Sequence, residues 1–141
     1  MTTLTFHCDG LPQPQGSAKA FVRGGHAVIT SANVHLRPWR AAVTAAAAEA
    51  RGDAATIAGP VFVTLAFTFP RPAGHYGKRG LRGTAPEFPA TRPDLDKLVR
   101  ACADALTDAG VWRDDAQVVE INASKEYGEH PGVTISVGEA A

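Results

Sequence analysis

The nine residues Val61–Phe69, VFVTLAFTF, alternate without a break and put Val61, Val63, Leu65, Phe67 and Phe69 on one face. A period of two among β-branched and aromatic residues is that of a strand with one side in a core. Such a strand needs neighbours, and the chain supplies them. Leu4, Phe6 and Cys8 share one side of a first alternating stretch, Val119, Ile121 and Ala123 face one way in a later one, and Val133, Ile135 and Val137 return after a turn at 128–132. Ala18–Arg23 and His26–Thr30 flank Gly24-Gly25, a two-residue hairpin signal.

Two segments carry helical spacing instead. The first is alanine-rich, accommodates Pro38 in its first turn, stops at Gly52, and shows a narrow stripe of Trp39, Ala42, Val43, Ala46 and Ala50. The second repeats Leu95, Leu98, Val99, Cys102, Ala103 and Leu106 before Gly110. The order β-β-β-α-β-α-β-β predicts an α+β fold: a mixed sheet of about five to six strands with two main helices packed on one face. With 141 residues, a single domain over 1–141 is expected, carrying a basic, Pro/Gly-rich surface loop at 70–93.

Formal charge is zero, with 14 basic and 14 acidic residues, which argues against a protein that coats nucleic acid by bulk charge. The charge is nevertheless sorted. Residues 71–100 hold seven Lys/Arg against three acids, a net of +4, while residues 101–141 hold two against eight, a net of −6. The only cysteines, Cys8 and Cys102, lack a CxxC partner, so a disulfide framework or thiolate zinc site is not indicated. No apolar run reaches the roughly 18 residues of a membrane span, and the N-terminus lacks a basic region followed by an apolar core. The expectation is a cytoplasmic protein without membrane contact.

The stretch 91–115, TRPDLDKLVRACADALTDAGVWRDD, concentrates six aspartates, with Asp94/Asp96 and Asp114/Asp115 at the two ends of the second helix. First-turn acids suit the helix dipole, and for one residue alone that explanation is sufficient. Two pairs are a different matter. If the following strand returns alongside the helix, the pairs approach each other, and crowded carboxylates call for a hard divalent ion such as Mg²⁺. Lys97 and Arg100 lie on the polar side, either as ion-pair partners of the acids or as cations for a phosphate. Asp104 reads as a surface or helix-pairing residue and Asp108 as a solvated helix end.

The segment PDLDKLVRACADALTDAGVWRDDAQVVEINASK resembles the signature of the RusA family of Holliday-junction resolvases, common in bacteriophages and prophages: P-D-x-D-N-L-x-K, then D-A-L, then W-x-D-D-x-Q-V and a downstream lysine. The resemblance covers about a quarter of the chain, residues 93–125. It implies a homodimeric, Mg²⁺-dependent endonuclease (Mn²⁺ a plausible substitute) that cuts branched DNA, such as a four-way junction, at symmetric positions and uses no organic cofactor. On that resemblance Asp94, Asp96 and Asp115 match the catalytic, metal-binding acids, with Asp114 beside the last. Arg100 stands where the family has lysine and Lys97 where it has asparagine. Arginine keeps the charge but cannot donate a proton near neutral pH, and Lys97 partly replaces the missing lysine. Lys125 matches the downstream lysine. With Lys78, Arg79, Arg82 and Arg92 of the loop it forms the expected DNA-binding set, with Tyr76 and Phe88 either stacking on bases or serving as packing or dimer contacts.

Other readings fit less well. A PD-(D/E)xK nuclease would need a lysine two residues after Glu120, where the chain has Ile-Asn-Ala-Ser-Lys. An Asp-x-Asp phosphatase places its nucleophile after an apolar strand, whereas FPATRP precedes Asp94. From a different class, the alternative is a non-catalytic branched-DNA-binding or dimerisation module whose acids only cap a helix.

Overall fold

A computed structural model describes residues 3–16, 18–31 and 33–140, with the backbone alone over 3, 18–23 and 26–31. The strands are β1 (Thr3–Asp9), β2 (Ala18–Arg23), β3 (His26–Ser31), β4 (Val61–Phe69), β5 (Tyr76–Gly77), β6 (Gly80–Leu81), β7 (Val118–Tyr127) and β8 (Gly132–Glu139). The helices are α1 (Leu36–Arg51) and α2 (Leu95–Asp108). Four strands share one mixed sheet in the order β1-β8-β4-β7; β8 is antiparallel to both its neighbours and β4 is parallel to β7. β2 and β3 pair with each other, turning at Gly24-Gly25, where φ is +59° and +81°. The six expected strands therefore divide into a four-stranded sheet and a two-stranded ribbon.

β4 is the spine of the sheet, and Val61, Val63, Leu65, Phe67 and Phe69 are all buried. Val133, Ile135 and Val137 of β8 and Cys8 of β1 extend that surface, and both helices contribute to the same core. On α1 the inward stripe is Leu36, Trp39, Val43 and Ala47. Ala42 and Ala50, expected inward, are exposed; Leu36 sets the register, and Ala47 rather than Ala46 or Ala50 continues it. α2 buries Leu98, Ala101, Cys102, Ala105 and Leu106.

Because β4 and β7 are parallel, the chain crosses from the end of β4 back to the start of β7 through α2. α2 thus runs antiparallel to both strands. The N-terminus of α2 lies at the end where β4 and β7 finish, and its C-terminus at the end where β7 begins. That polarity decides where each aspartate goes.

Candidate active site

Asp94 occupies the N-cap of α2, yet its carboxylate makes no capping hydrogen bond. It faces Lys97 instead, at 3.3 Å, and remains about half exposed. The expected alternative, an Asp96–Arg100 ion pair one turn apart, does not form. Asp96 and Arg100 are both exposed, and neither has a polar partner among the described residues. Asp94 and Lys97 line an open groove of about 720 Å³ whose other walls come from Leu11–Pro14, Gly16, Asn33, Phe69–Pro70 and Arg92–Pro93. Gln15 binds this Pro-rich N-terminal segment to the helix: its backbone N–H donates to Lys97 O at 3.0 Å and its amide donates to Asp104.

Lys125 holds the groove's rear wall. Its Nζ donates to Thr91 O at 2.8 Å and Pro93 O at 3.0 Å, anchoring the segment that delivers Asp94. Two of its three N–H groups are thus committed to the chain's own carbonyls, leaving one for any contact with DNA.

The 70–93 loop is more structured than its composition suggests. It contains the short β5–β6 hairpin, and it docks through Arg71, whose guanidinium sits 4.5 Å from the Tyr127 ring centroid and donates to Pro86 O at 2.6 Å. His75 meets the same ring edge-on at 5.3 Å. Lys78, Arg79, Arg82 and Arg92 are all exposed. The anchor on Tyr127, two residues after Lys125, places the basic loop at the same end of the sheet as Asp94.

Asp114 and Asp115 lie at the opposite end of α2. The Asp115 carboxylate accepts from the Thr107 hydroxyl and from Trp112 Nε1 at 3.1 Å, and Trp112 Nε1 also reaches Thr107 Oγ1 at 2.8 Å. Burial works against ionised Asp115, but the Thr107 and Trp112 hydrogen bonds outweigh it and hold its carboxyl below the ordinary value. Asp104 is pushed the other way, by burial and then by Asp115 nearby, against the opposing hydrogen bond from Gln15 and the charge of Arg40. Asp114 accepts from Ala116 N at 2.9 Å and caps the turn Asp115–Gln117. Gln117 uses its whole amide: it accepts from Arg113 N and Asp114 N, and donates to Ile57 O and Gly59 O. Asp108, expected to be solvated, is held by Arg40 of α1 at 2.8 Å, while Asp104 pairs more loosely with Arg40 at 3.7 Å.

The four acids expected to converge therefore do not do so within one chain, and no group of three or more His, Cys, Asp or Glu placed to hold a metal occurs among the described residues. The physical reason is the polarity of the crossover. β7 does return along α2, but it reaches the N-terminus of the helix only at Lys125, leaving Asp115 beside Thr107. Sequence reasoning missed Thr107, Trp112 and Gln117 as the residues that fix the second acidic pair. The signal was present in the regular W-x-D-D-x-Q spacing, where an indole N–H and a four-way amide bracket two acids.

Comparison with known proteins follows the same outline. A family model described as endodeoxyribonuclease RusA matches residues 9–138. An uncharacterized protein of Bacillus subtilis (strain 168), YqaN, is 28% identical over 150 aligned positions that take in 100% of this chain and 99% of the relative. The crossover junction endodeoxyribonuclease RusA of Escherichia coli K12 is 59% identical over 34 residues, 24% of this chain and 28% of that protein. The protein of the same description from Enterobacteria phage 82 matches to the same extent. With the model spanning nearly all of the fold and both acidic segments inside it, the chain belongs to the RusA endodeoxyribonuclease family.

Proposed function

We propose that this protein is a structure-selective endodeoxyribonuclease that resolves Holliday junctions and other branched DNA by paired, symmetric phosphodiester cuts. The observation that carries the reading is Asp94. A helix-capping aspartate would spend its carboxylate on backbone N–H groups, whereas this one makes no such bond and opens onto a groove beside a cationic loop. Asp94 and Asp96 are the acids proposed for catalysis, with Lys97 and Arg100 as cations for the reacting phosphate. Lys78, Arg79, Arg82 and Arg92 would hold the flanking backbone.

Mg²⁺ is part of the proposal, with Mn²⁺ as a substitute. One chain alone does not fit a three-carboxylate site. Asp94 and Thr107 are thirteen residues apart along α2, about 20 Å at the helical rise, and Asp115 sits with Thr107. A homodimer resolves the difficulty: two copies of α2 side by side and antiparallel would bring Asp94 and Asp96 of one subunit to Asp115 of the other. An apolar surface suited to that contact lies between the two ends, with Ile121 of edge strand β7 51% exposed beside the partly buried Val99 and Ala103 of α2, and Val119 two residues earlier 61% exposed. Two equivalent sites related by a two-fold axis also suit a junction that needs two cuts.

The test is cleavage of a synthetic four-way junction, against linear duplex, with Mg²⁺ and with chelator. Asp94→Asn and Asp115→Asn should each bind the junction without cutting it. Mixed after subunit exchange, the two inactive variants should recover cleavage of one strand, because each heterodimer then has one site that combines an intact Asp94 with an intact Asp115. Normal cleavage by Asp94→Asn would overturn the activity. A mixture as inactive as its components would overturn the shared site and leave the activity standing.

A further inference from the structure

The β5–β6 hairpin has a use that its cations alone do not explain. Tyr76 and Leu81 are direct cross-strand partners and so share one face; they are 49% and 52% exposed. Their neighbours Gly77 and Gly80 add no side chain to the other face, which the Arg82 side chain crosses beside Gly77. Gly80, at φ +98°, takes the backbone conformation that closes the turn, which puts Lys78 and Arg79 at the tip.

Two-residue strands do not stand unaided, and this hairpin is fixed at its base. Arg82 N donates to His75 O at 2.8 Å, His75 packs on Tyr127, and Arg71 covers the same ring. Through Tyr127 and Lys125 of β7 the base is continuous with the Thr91–Pro93 segment that leads into Asp94. A projection anchored at its base that leaves a tyrosine and a leucine about half exposed side by side offers an apolar face to a partner. Residues 71–86 contain no acid, so the partner that suits the flanking cations is a polyanion. The apolar groups of nucleic acid are its base faces, which are reachable only where stacking is broken.

We infer that the β5–β6 hairpin is a wedge: Tyr76 and Leu81 stack on bases unpaired at the branch point while Lys78 and Arg79 hold the adjoining phosphates. This rests on the branched-DNA reading above and deepens it. Opening the branch point beside the groove would bring a single strand, rather than stacked duplex, to Asp94.

The test uses full-length protein carrying Asp94→Asn, which should bind without cutting, and a four-way junction with 2-aminopurine at the branch point. Binding should raise the 2-aminopurine fluorescence as the base unstacks. Adding Tyr76→Ala with Leu81→Ala should abolish most of that rise and lower the junction-over-duplex affinity ratio about fivefold, the low end of one base–aromatic stack. Tyr76→Phe, which keeps the ring, should retain the rise. An undiminished rise in the double-alanine protein overturns the wedge alone. Equal loss of duplex and junction binding also overturns it, by making the pair part of the hairpin's own fold. Failure of the Asp94→Asn protein to bind the junction at all overturns the functional reading and the wedge with it.

Discussion

Replacing Lys125 with methionine separates two roles that a lysine in this position can have. Methionine keeps most of the aliphatic stem and removes the ammonium that donates to Thr91 O and Pro93 O. A hydrogen bond from a charged donor contributes about 1.5–3 kcal/mol when shielded. Here one bond is exposed and the other part-buried, so about 1 kcal/mol each, or about 2 kcal/mol together, is the appropriate scale. The loss falls on residues 91–94 and not on the core, because the bonds join β7 to the segment before α2. It should appear as a local opening, about thirtyfold more populated, with a smaller change in global unfolding.

The assay combines amide exchange in the first turns of α2 with junction affinity measured across salt concentration. For an anchoring lysine, exchange accelerates and the slope of log affinity against log salt stays where it was. For a phosphate contact, that slope falls by about 0.9. Arg79→Ala, at the exposed hairpin tip, supplies the comparison and should lower the slope by about that amount. A reduced slope with unchanged exchange in Lys125→Met would refute the anchoring role.

Trp112→Phe removes the indole donor to Thr107 and Asp115 from a site only 1% exposed, and should cost about 2–4 kcal/mol in urea unfolding. The folded pKa of Asp115 is depressed, so the stability it contributes is complete above the unfolded carboxyl value of about 3.9 and is lost as pH falls through the lower folded value. The melting-temperature gap between the parent and Asp115→Asn should therefore be full at neutral pH and close in strong acid; a constant gap would contradict the assignment. Gly132→Ala would put a methyl 2.5 Å from Cys8 O and 2.9 Å from His7 Nε2, prying β1 from β8 at a cost of about 2–3 kcal/mol, measurable by thermal melting. Arg71→Ala loses the Tyr127 stack and the Pro86 bond, so trypsin should cut at Lys78, Arg79 or Arg82 several times faster, with little change in the melting temperature.

Local pattern carried the fold a long way. The alternation in β4 set its inward face residue by residue, and the apolar spacing in α2 identified the core contributors Leu98, Cys102 and Leu106. What it could not supply was the direction in which elements face each other. Whether β7 lies parallel or antiparallel to β4 is a property of long-range pairing, and that single choice separates Asp94 from Asp115 by the length of a helix. The alanine-rich α1 shows a smaller version of the same difficulty. With alanine at most positions, several stripes are equally apolar, and only packing against β1 and α2 selects Leu36, Trp39, Val43 and Ala47. Arg71 in the loop and Lys125 on β7 read as two more cations. That one stacks on Tyr127 and the other binds two carbonyls depends on partners up to 56 residues away.

A neutral chain can still present one surface to DNA if its charges are segregated, and the sheet shows how that is done. The side of the four-stranded sheet turned away from the helices carries Thr5, His7 and Asp9 of β1, Thr134 and Ser136 of β8, Thr64 and Thr68 of β4, and Glu120, Asn122, Ser124 and Glu126 of β7, as the register requires. Among these there are three carboxylates and no lysine or arginine. Charges interact over only about 8–10 Å at physiological ionic strength, so this face repels phosphate locally whatever the loop does at the sheet's far edge. The exposed cations Lys78, Arg79, Arg82 and Arg92 belong instead to the loop that leads into α2, at the end where Asp94 opens into its groove. Six of the eight acids in residues 101–141 lie on the back of the sheet (Glu120 and Glu126) or along the C-terminal part of α2 and just after it (Asp104, Asp108, Asp114 and Asp115), where those beside Arg40 are partly neutralised. Zero net charge thus arises from an attractive end and a repulsive face. On the proposed reading, a DNA backbone drawn to the cations would be left with one direction of approach, along the loop and into the groove that holds Asp94.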